Sequence, residues 1–383
     1  MIGGSPPNPQ SISGKMKMMT PGTEAELAEA IAGASGPLCI QGGGSRGLAV
    51  EGEVLSTRAL SGIGLYEPGA LTLVVKAGTP VAEVEALLAA ENQRLAFEPM
   101  DHRGLLGTEG EPTIGGVIAA GISGPRRIQA GAARDHLLGV RFVDGSGQVV
   151  KNGGRVMKNV TGYDLVKLLC GAHGTLGVLT EVSLKVLPRA EAEATVTVAG
   201  LDLPSAVRAM SAALGSPYDV TGAAYDAESG QVCIRVEGFA GSAAYRSGKL
   251  AELLSPFGRA EVQPQARDLW QGLRDVSAFH GRAGDVWRIS VKPSDAVTLA
   301  PQLQADALQF DWGGGLIWAL VPAGTELRSR LTVPGHATLV RADAETRARL
   351  GVFQPQPAPL AAISKGLRRQ FDPRGILNPG LMG

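Results

Sequence analysis

The chain has 383 residues, too many for one ordinary hydrophobic core, so two domains are expected. Its 36 basic and 36 acidic residues cancel, which argues against a nucleic-acid binder. No apolar run reaches the roughly 20 residues of a membrane-spanning helix. Cys39, Cys170 and Cys233 lie far apart with no CxxC spacing, so no zinc or iron–sulfur site is indicated. Each cysteine is read as a small buried side chain in a reducing compartment. Glycine, at 53 residues, is nearly twice its usual share and is concentrated before residue 180. That excess points to tight turns, or to backbone running close to a ligand.

Residues 1–22 read as a disordered leader, rich in Pro, Ser and Gly and without periodicity. Thr23 is the expected N-cap of a first helix, with Glu26 completing a capping box. A short strand, Pro37 to Gln41, then runs into Gly42-Gly43-Gly44-Ser45-Arg46-Gly47. This loop matches GxGxxG, but no helix register follows it, so the Rossmann reading fails on context. A nest of successive amides remains able to hold phosphate without a helix. Leu71 to Lys76 is an expected strand. A turn follows, and then a helix begins at Pro80 with Val81, Val84, Leu87 and Leu88 on one face. This unit is scaffold, with Gly78 and Thr79 as marginal ligand candidates. Glu111 to Gly121, containing Pro112-Thr113-Ile114-Gly115-Gly116, reads as a buried helix entered from a turn. The paired Arg126 and Arg127 that follow either neutralise a phosphate or anionic substrate, or form a solvated turn. Leu137 to Val143, a turn at Asp144 to Gly147, and Gln148 to Lys151 make a hairpin. Tyr163 to Leu169 has helical spacing. Gly171 and Gly174 break it, and Val182, Leu184 and Val186 alternate as a strand with one buried face.

The block KNVTGYDLVKLLCGAHGTLGVLTEVSLKVLP, ending at Pro188, resembles flavoproteins with the vanillyl-alcohol-oxidase (PCMH-type) FAD-binding domain. It is most similar to their glycolate oxidase and D-lactate dehydrogenase branch. The tail block Phe371-Asp372-Pro373-Arg374-Gly375-Ile376-Leu377-Asn378-Pro379-Gly380 resembles the closing signature of that family. The blocks at Trp287-Arg288-Ile289-Ser290, Asp311-Trp312-Gly313-Gly314 and Gly335-His336-Ala337-Thr338 resemble the E-type subunits of bacterial glycolate oxidases.

The resemblance implies an α+β fold. A PCMH-type FAD-binding domain of two α+β subdomains spans 23–188. A ferredoxin-like cap spans 189–341, and a C-terminal segment, 342–383, returns to the first domain. It implies FAD held by Gly42, Gly43, Gly44, Ser45 and Arg46 in the first loop. Thr113, Gly115 and Gly116 are its contacts in the second loop, and Gly174, Thr175, Gly177 and Val178 in the third, with Asn378 reaching in from the tail. With Ser45 and Arg46 where some relatives carry a flavin-linked histidine, the flavin is expected to be non-covalent. The implied partners are a catalytic flavoprotein subunit and an iron–sulfur subunit of glycolate oxidase, with a small 2-hydroxy acid as substrate. The implied location is cytoplasmic, with peripheral attachment at the inner face of the membrane as an option.

Oxidation of such a substrate needs a cation for its carboxylate and a base for its hydroxyl proton. Of five histidines (His102, His136, His173, His280 and His336), none pairs at metal-ligand spacing, and His336 is the preferred base candidate. The chain lacks the Gly-Glu-His-Gly cap sequence of catalytic relatives. A non-autonomous subunit is therefore the first expectation and a self-sufficient 2-hydroxy-acid dehydrogenase the second. An assembly protein that has lost FAD is the third.

Overall fold

The computed structural model describes residues 18–47, 50–156 and 162–382. The front of the long block, 158–161, lies outside the described residues, as does most of the expected leader. The leader reading was too long at its end. Met18–Met19 forms an edge strand, pairing Met18 with Val54 and Met19 with Leu55.

The first lobe is built on two sheets. In the smaller one, Met18–Met19, Glu53–Ser56 and Leu38–Gln41 run parallel, with Glu53–Ser56 in the middle. The helix Glu24–Ala32 covers it, burying Leu27 and Ile31. The Thr23 hydroxyl caps that helix at the Glu26 N–H, as expected. The Glu26 carboxylate, however, reaches back to the Gly22 N–H rather than to that of Thr23. The second sheet is antiparallel, in the order Ile63–Glu67, Thr72–Lys76, Val178–Lys185, Leu137–Val143, Val149–Gly153. Its central strand, Val178–Lys185, differs from expectation because it is covered on both faces. Helices Val81–Ala90 and Ile114–Ala120 share the core of this sheet with Leu73, Phe142, Val182 and Leu184. Full burial of each such side chain stabilises by about 1.5–3 kcal/mol.

The cap is one eight-stranded sheet made of two ferredoxin-like halves. In the first, Ala192–Val198, helix Leu203–Leu214, Val220–Asp226, Gln231–Gly238, helix Ala240–Leu254 and Ala260–Pro264 follow in βαββαβ order. Asp285–Val291, helix Ala296–Leu303, Ala307–Asp311, Leu316–Val321 and Gly335–Arg341 repeat it, with a single 3-10 turn in place of the second helix. The halves join where Tyr225 pairs with Phe310.

The tail helix, Ala358–Phe371, ends where Phe371 packs against Phe142. The chain then enters the small sheet, where Leu377 bridges to Leu38. A buried ion network ties the lobes together. Arg235 of the cap makes two hydrogen bonds to Glu98, at 3.0 and 2.9 Å. Arg126 holds Glu98 at 2.8 Å and Glu237 at 2.7 Å, and Arg94 reaches Glu237 at 2.6 Å. Arg235 and Glu237 share one face of a strand by the period of two. Neither sequence option for Arg126 holds, because it is a buried structural cation.

Candidate functional site

Three loops and the tail converge on one cleft. Gly42 to Gly47 lines a cavity of about 120 Å³ with Thr113 and Gly116. Gly42, Arg46, Gly115, Gly116, Gly174, Gly177, Val178 and Asn378 line an adjoining one of about 80 Å³. The larger cavity beside them, about 570 Å³, reaches the cap and includes Arg46, His102, His173, Arg288 and His336. Arg46 lines all three, so the two smaller cavities of the first lobe adjoin the larger one, which is shared with the cap.

The glycines do different work within it. A Cβ on Gly43 would lie 1.5 Å from the carbonyl oxygen of Glu111, so this glycine is required by the packing of one loop on the next. Gly44, at φ +77, would meet nothing within 4 Å and faces open space. A Cβ on Gly115 would strike Ala77, whereas one on Gly116 would approach only the Thr113 hydroxyl, at 3.2 Å. Thr113 caps the helix Ile114–Ala120 by accepting the Gly116 N–H. Thr175 is not among the residues lining the cleft. Its buried hydroxyl donates to the Ala172 carbonyl at 2.7 Å and fastens the turn. Asn378 lines the cleft, but both ends of its amide are spent on the protein. Oδ1 accepts the Ile40 N–H at 2.7 Å, and Nδ2 donates to the His173 carbonyl at 2.8 Å.

The electrostatics suit an anion. Arg46 forms no ion pair among the described residues, and burial lowers its pKa to about 10. Burial, and then the charge of Arg46, push His102 and His173 down to about 3, so both are neutral. Open backbone at Gly44, the absence of a side chain at Gly116 and a guanidinium with no ion-pair partner among the described residues are what a pyrophosphate-bearing cofactor requires. The residues present therefore fit FAD.

On the cap side, Arg288 and His336 project from neighbouring strands, Asp285–Val291 and Gly335–Arg341. Ser290 pairs with His336, and Arg288 with Thr338. Period two places these four side chains on one face. Two guanidiniums lie over the Trp312 ring, Arg127 of the first lobe at 4.3 Å and Arg288 at 5.1 Å from its centroid. Its Nε1 donates across the cleft to the Gly124 carbonyl at 3.0 Å. Burial lowers Arg288 to about 10. His336 is exposed at the mouth, yet desolvation of its ring, then Arg288 and Arg127, hold its pKa below the ordinary value. Sequence reasoning missed Arg288 and Trp312, although both lie in blocks already singled out. The alternation of Trp287 to Val291 was the available signal for Arg288. His173 also went unassigned. Its ring meets Phe353 edge-on at 4.7 Å.

Comparison with known proteins agrees with this architecture. The FAD binding domain family matches residues 17–153. The glycolate oxidase subunit GlcE of Escherichia coli is 38% identical over 353 residues, covering 90% of this chain and 92% of that protein. Glycolate oxidase subunit GlcD of Bacillus subtilis is 31% identical over 141 residues, 37% of this chain and 28% of its own length. The solved structure of alkyldihydroxyacetonephosphate synthase superposes with a TM-score of 0.68 at 17% identity, covering 94% of this chain and 76% of that one, a likeness of fold. The chain belongs to the PCMH-type FAD-binding flavoproteins, in the glycolate oxidase E-subunit family, and is an FAD-linked oxidoreductase.

Proposed function

We propose that this chain is the FAD-binding subunit of a glycolate oxidase complex. In that complex it acts beside a catalytic flavoprotein subunit and an iron–sulfur subunit to oxidise glycolate to glyoxylate. Residues 23–188 serve as the FAD-binding domain, 189–341 as the cap and 342–383 as the returning segment. The flavin is held non-covalently by the loop residues Gly42 to Arg46, Thr113, Gly115, Gly116, Gly174, Gly177 and Val178. Thr175 and Asn378 shape the cradle from behind.

The observation that carries the reading is that the glycine-lined cleft adjoins, at Arg46, a cavity lined by Arg127, Arg288 and His336. Two guanidiniums packed on one indole offer a carboxylate a fixed, partly desolvated seat. His336, kept neutral at pH 7, is able to take a hydroxyl proton on a ring nitrogen. Bound FAD supplies the hydride acceptor. These cap-side groups also favour a second reading, that the chain turns over 2-hydroxy acids by itself.

Among the described residues no helix is long and apolar enough to cross a membrane. A cytoplasmic location, peripheral at most to the inner membrane face, is part of the proposal. The test is the purified chain with glycolate or D-lactate and an artificial acceptor, alone and with its companion subunits. The subunit reading expects flavin bands and turnover only in the complex. Robust turnover by the isolated chain supports the second reading, and a colourless chain that cannot be reconstituted defeats both.

A further inference from the structure

Asp311 ends the strand Ala307–Asp311 and is only 3% exposed. Strand register fixes where its side chain lies. Asp311 pairs with Leu316, Leu316 with Ser290, and Ser290 with His336. Residues directly opposite one another across strands point to the same side of a sheet. Asp311 therefore shares the cavity-facing side of the cap with Arg288 and His336. An apolar residue would be easier to bury in this row than a carboxyl group. Asp311 forms no ion pair among the described residues. Burial pushes its carboxyl up to about 7, with the Trp312 N–H, Arg235 and Arg288 opposing the rise and Glu98 adding to it.

The carboxyl group is used by the turn that follows. Its Oδ1 accepts the Trp312 N–H at 2.7 Å. In that turn Trp312, Gly313 and Gly314 stand at φ +54, +68 and +103. A bulky side chain is disfavoured in the left-handed region, and a residue persists there only when its surroundings over-determine it. The indole so placed reaches the first lobe. Its Nε1 donates to the Gly124 carbonyl, which also accepts the Arg127 N–H at 3.1 Å. The Arg127 and Arg288 guanidiniums both lie over its ring. One strained residue thus orients two cations that belong to different lobes.

We propose that Asp311 is the positioning residue of the cap-side anion seat. Its carboxyl oxygen holds the Trp312 turn and, through the indole, sets where Arg127 and Arg288 meet a substrate carboxylate. Asp311 is not among the residues lining the cavity, so it acts through Trp312. The inference rests on reading that cavity as the seat of a 2-hydroxy acid.

The full chain with bound flavin is titrated with oxalate, followed by flavin absorbance. Asp311→Ala weakens oxalate binding by about tenfold or more, with flavin content and circular dichroism unchanged. Asp311→Leu, similar in volume but without an acceptor, reports the same loss and serves where the alanine variant does not fold. Asp311→Asn keeps an oxygen for the Trp312 N–H and restores the affinity to within about threefold of wild type. Trp312→Ala weakens binding, and adding Asp311→Ala to it brings no further loss, because the two residues act as one unit. Wild-type affinity in the alanine and leucine variants overturns the proposal. So does an asparagine variant as weak as these, or full additivity with Trp312→Ala. A wild-type chain that holds flavin but binds no oxalate defeats the reading of the cavity as an anion seat, and the proposal with it.

Discussion

Asn378 and Ile40, far apart in sequence, are joined by a 2.7 Å hydrogen bond from the Ile40 N–H to the Asn378 carbonyl oxygen. The other end of the same amide donates to the His173 carbonyl. One buried side chain thus fixes the strand feeding the first glycine loop against the turn of the third. Asn378→Ala removes both bonds and leaves a residue at φ +43 that tolerates this conformation poorly. The expected loss is about 2–4 kcal/mol in denaturant unfolding, with weaker flavin retention. Asn378→Asp keeps the acceptor and the backbone tolerance, and falls between the two. Wild-type flavin affinity in the alanine variant would contradict this arrangement.

The loop glycines separate into two classes under substitution. Gly43→Ala puts a methyl group into the Glu111 carbonyl and is expected to abolish soluble folded protein. Gly116→Ala meets only the cap hydroxyl of Thr113. It should leave the circular dichroism intact while lowering flavin content in absorbance spectra. If both variants fold and bind flavin alike, the division is wrong.

Separation of the lobes should follow loss of Glu237. Its carboxylate, desolvated but held by Arg126, Arg235 and Arg94, has a pKa far below the usual range. Glu237→Gln leaves these arginines short of one negative charge in a buried setting. The expected cost is about 3–5 kcal/mol, read as a lowered midpoint or as a second unfolding transition.

Acid should destabilise the flavin-free protein through two buried histidines, against an opposing gain from Asp311, whose carboxyl burial pushes up to about 7. His102 and His173 have folded pKa values of about 3 against roughly 6.5 unfolded. Their contribution is complete above pH 6.5 and is lost as pH falls toward 3, because the unfolded chain then binds the extra protons. Between pH 7 and 5 each accounts for up to roughly 2 kcal/mol. The buried carboxylates Glu98 and Glu237, lowered in the folded state, add their loss only below about pH 4.3. Replacing both histidines with phenylalanine should flatten the pH 5–7 slope. An unchanged slope would place the titration elsewhere.

Arg288→Ala should weaken binding of glycolate or oxalate, followed by flavin absorbance, by about tenfold or more while leaving flavin content unchanged. Arg288→Lys keeps the charge but not the planar stacking on Trp312, and should recover only part of it. Equal anion affinity in wild type and Arg288→Ala would remove this residue from the site.

Local chemistry made much of the protein legible in advance. Thr23, the turn at Asp144, the helix Val81–Ala90 and the strand Thr72–Lys76 follow from capping, turn residues and periodicity, all set by near neighbours in the chain. The glycine loops were recognisable because a backbone that must come close to another group tolerates no side chain. What the sequence left open was what each loop comes close to. Only the folded chain shows that Gly43 yields to Glu111 while Gly44 and Gly116 face the cleft, that Thr175 is a turn fastener, and that Arg126 and the adjacent Arg127 part ways. Arg126 is neutralised inside an inter-lobe network, and Arg127 lies against Trp312 beside Arg288. Contacts between segments distant in the chain decide most of these roles, as with Gly43 on Glu111, Arg126 on Glu237 and Arg127 on Trp312. No local pattern encodes them, because they depend on which charges end up buried together and which are left without a partner.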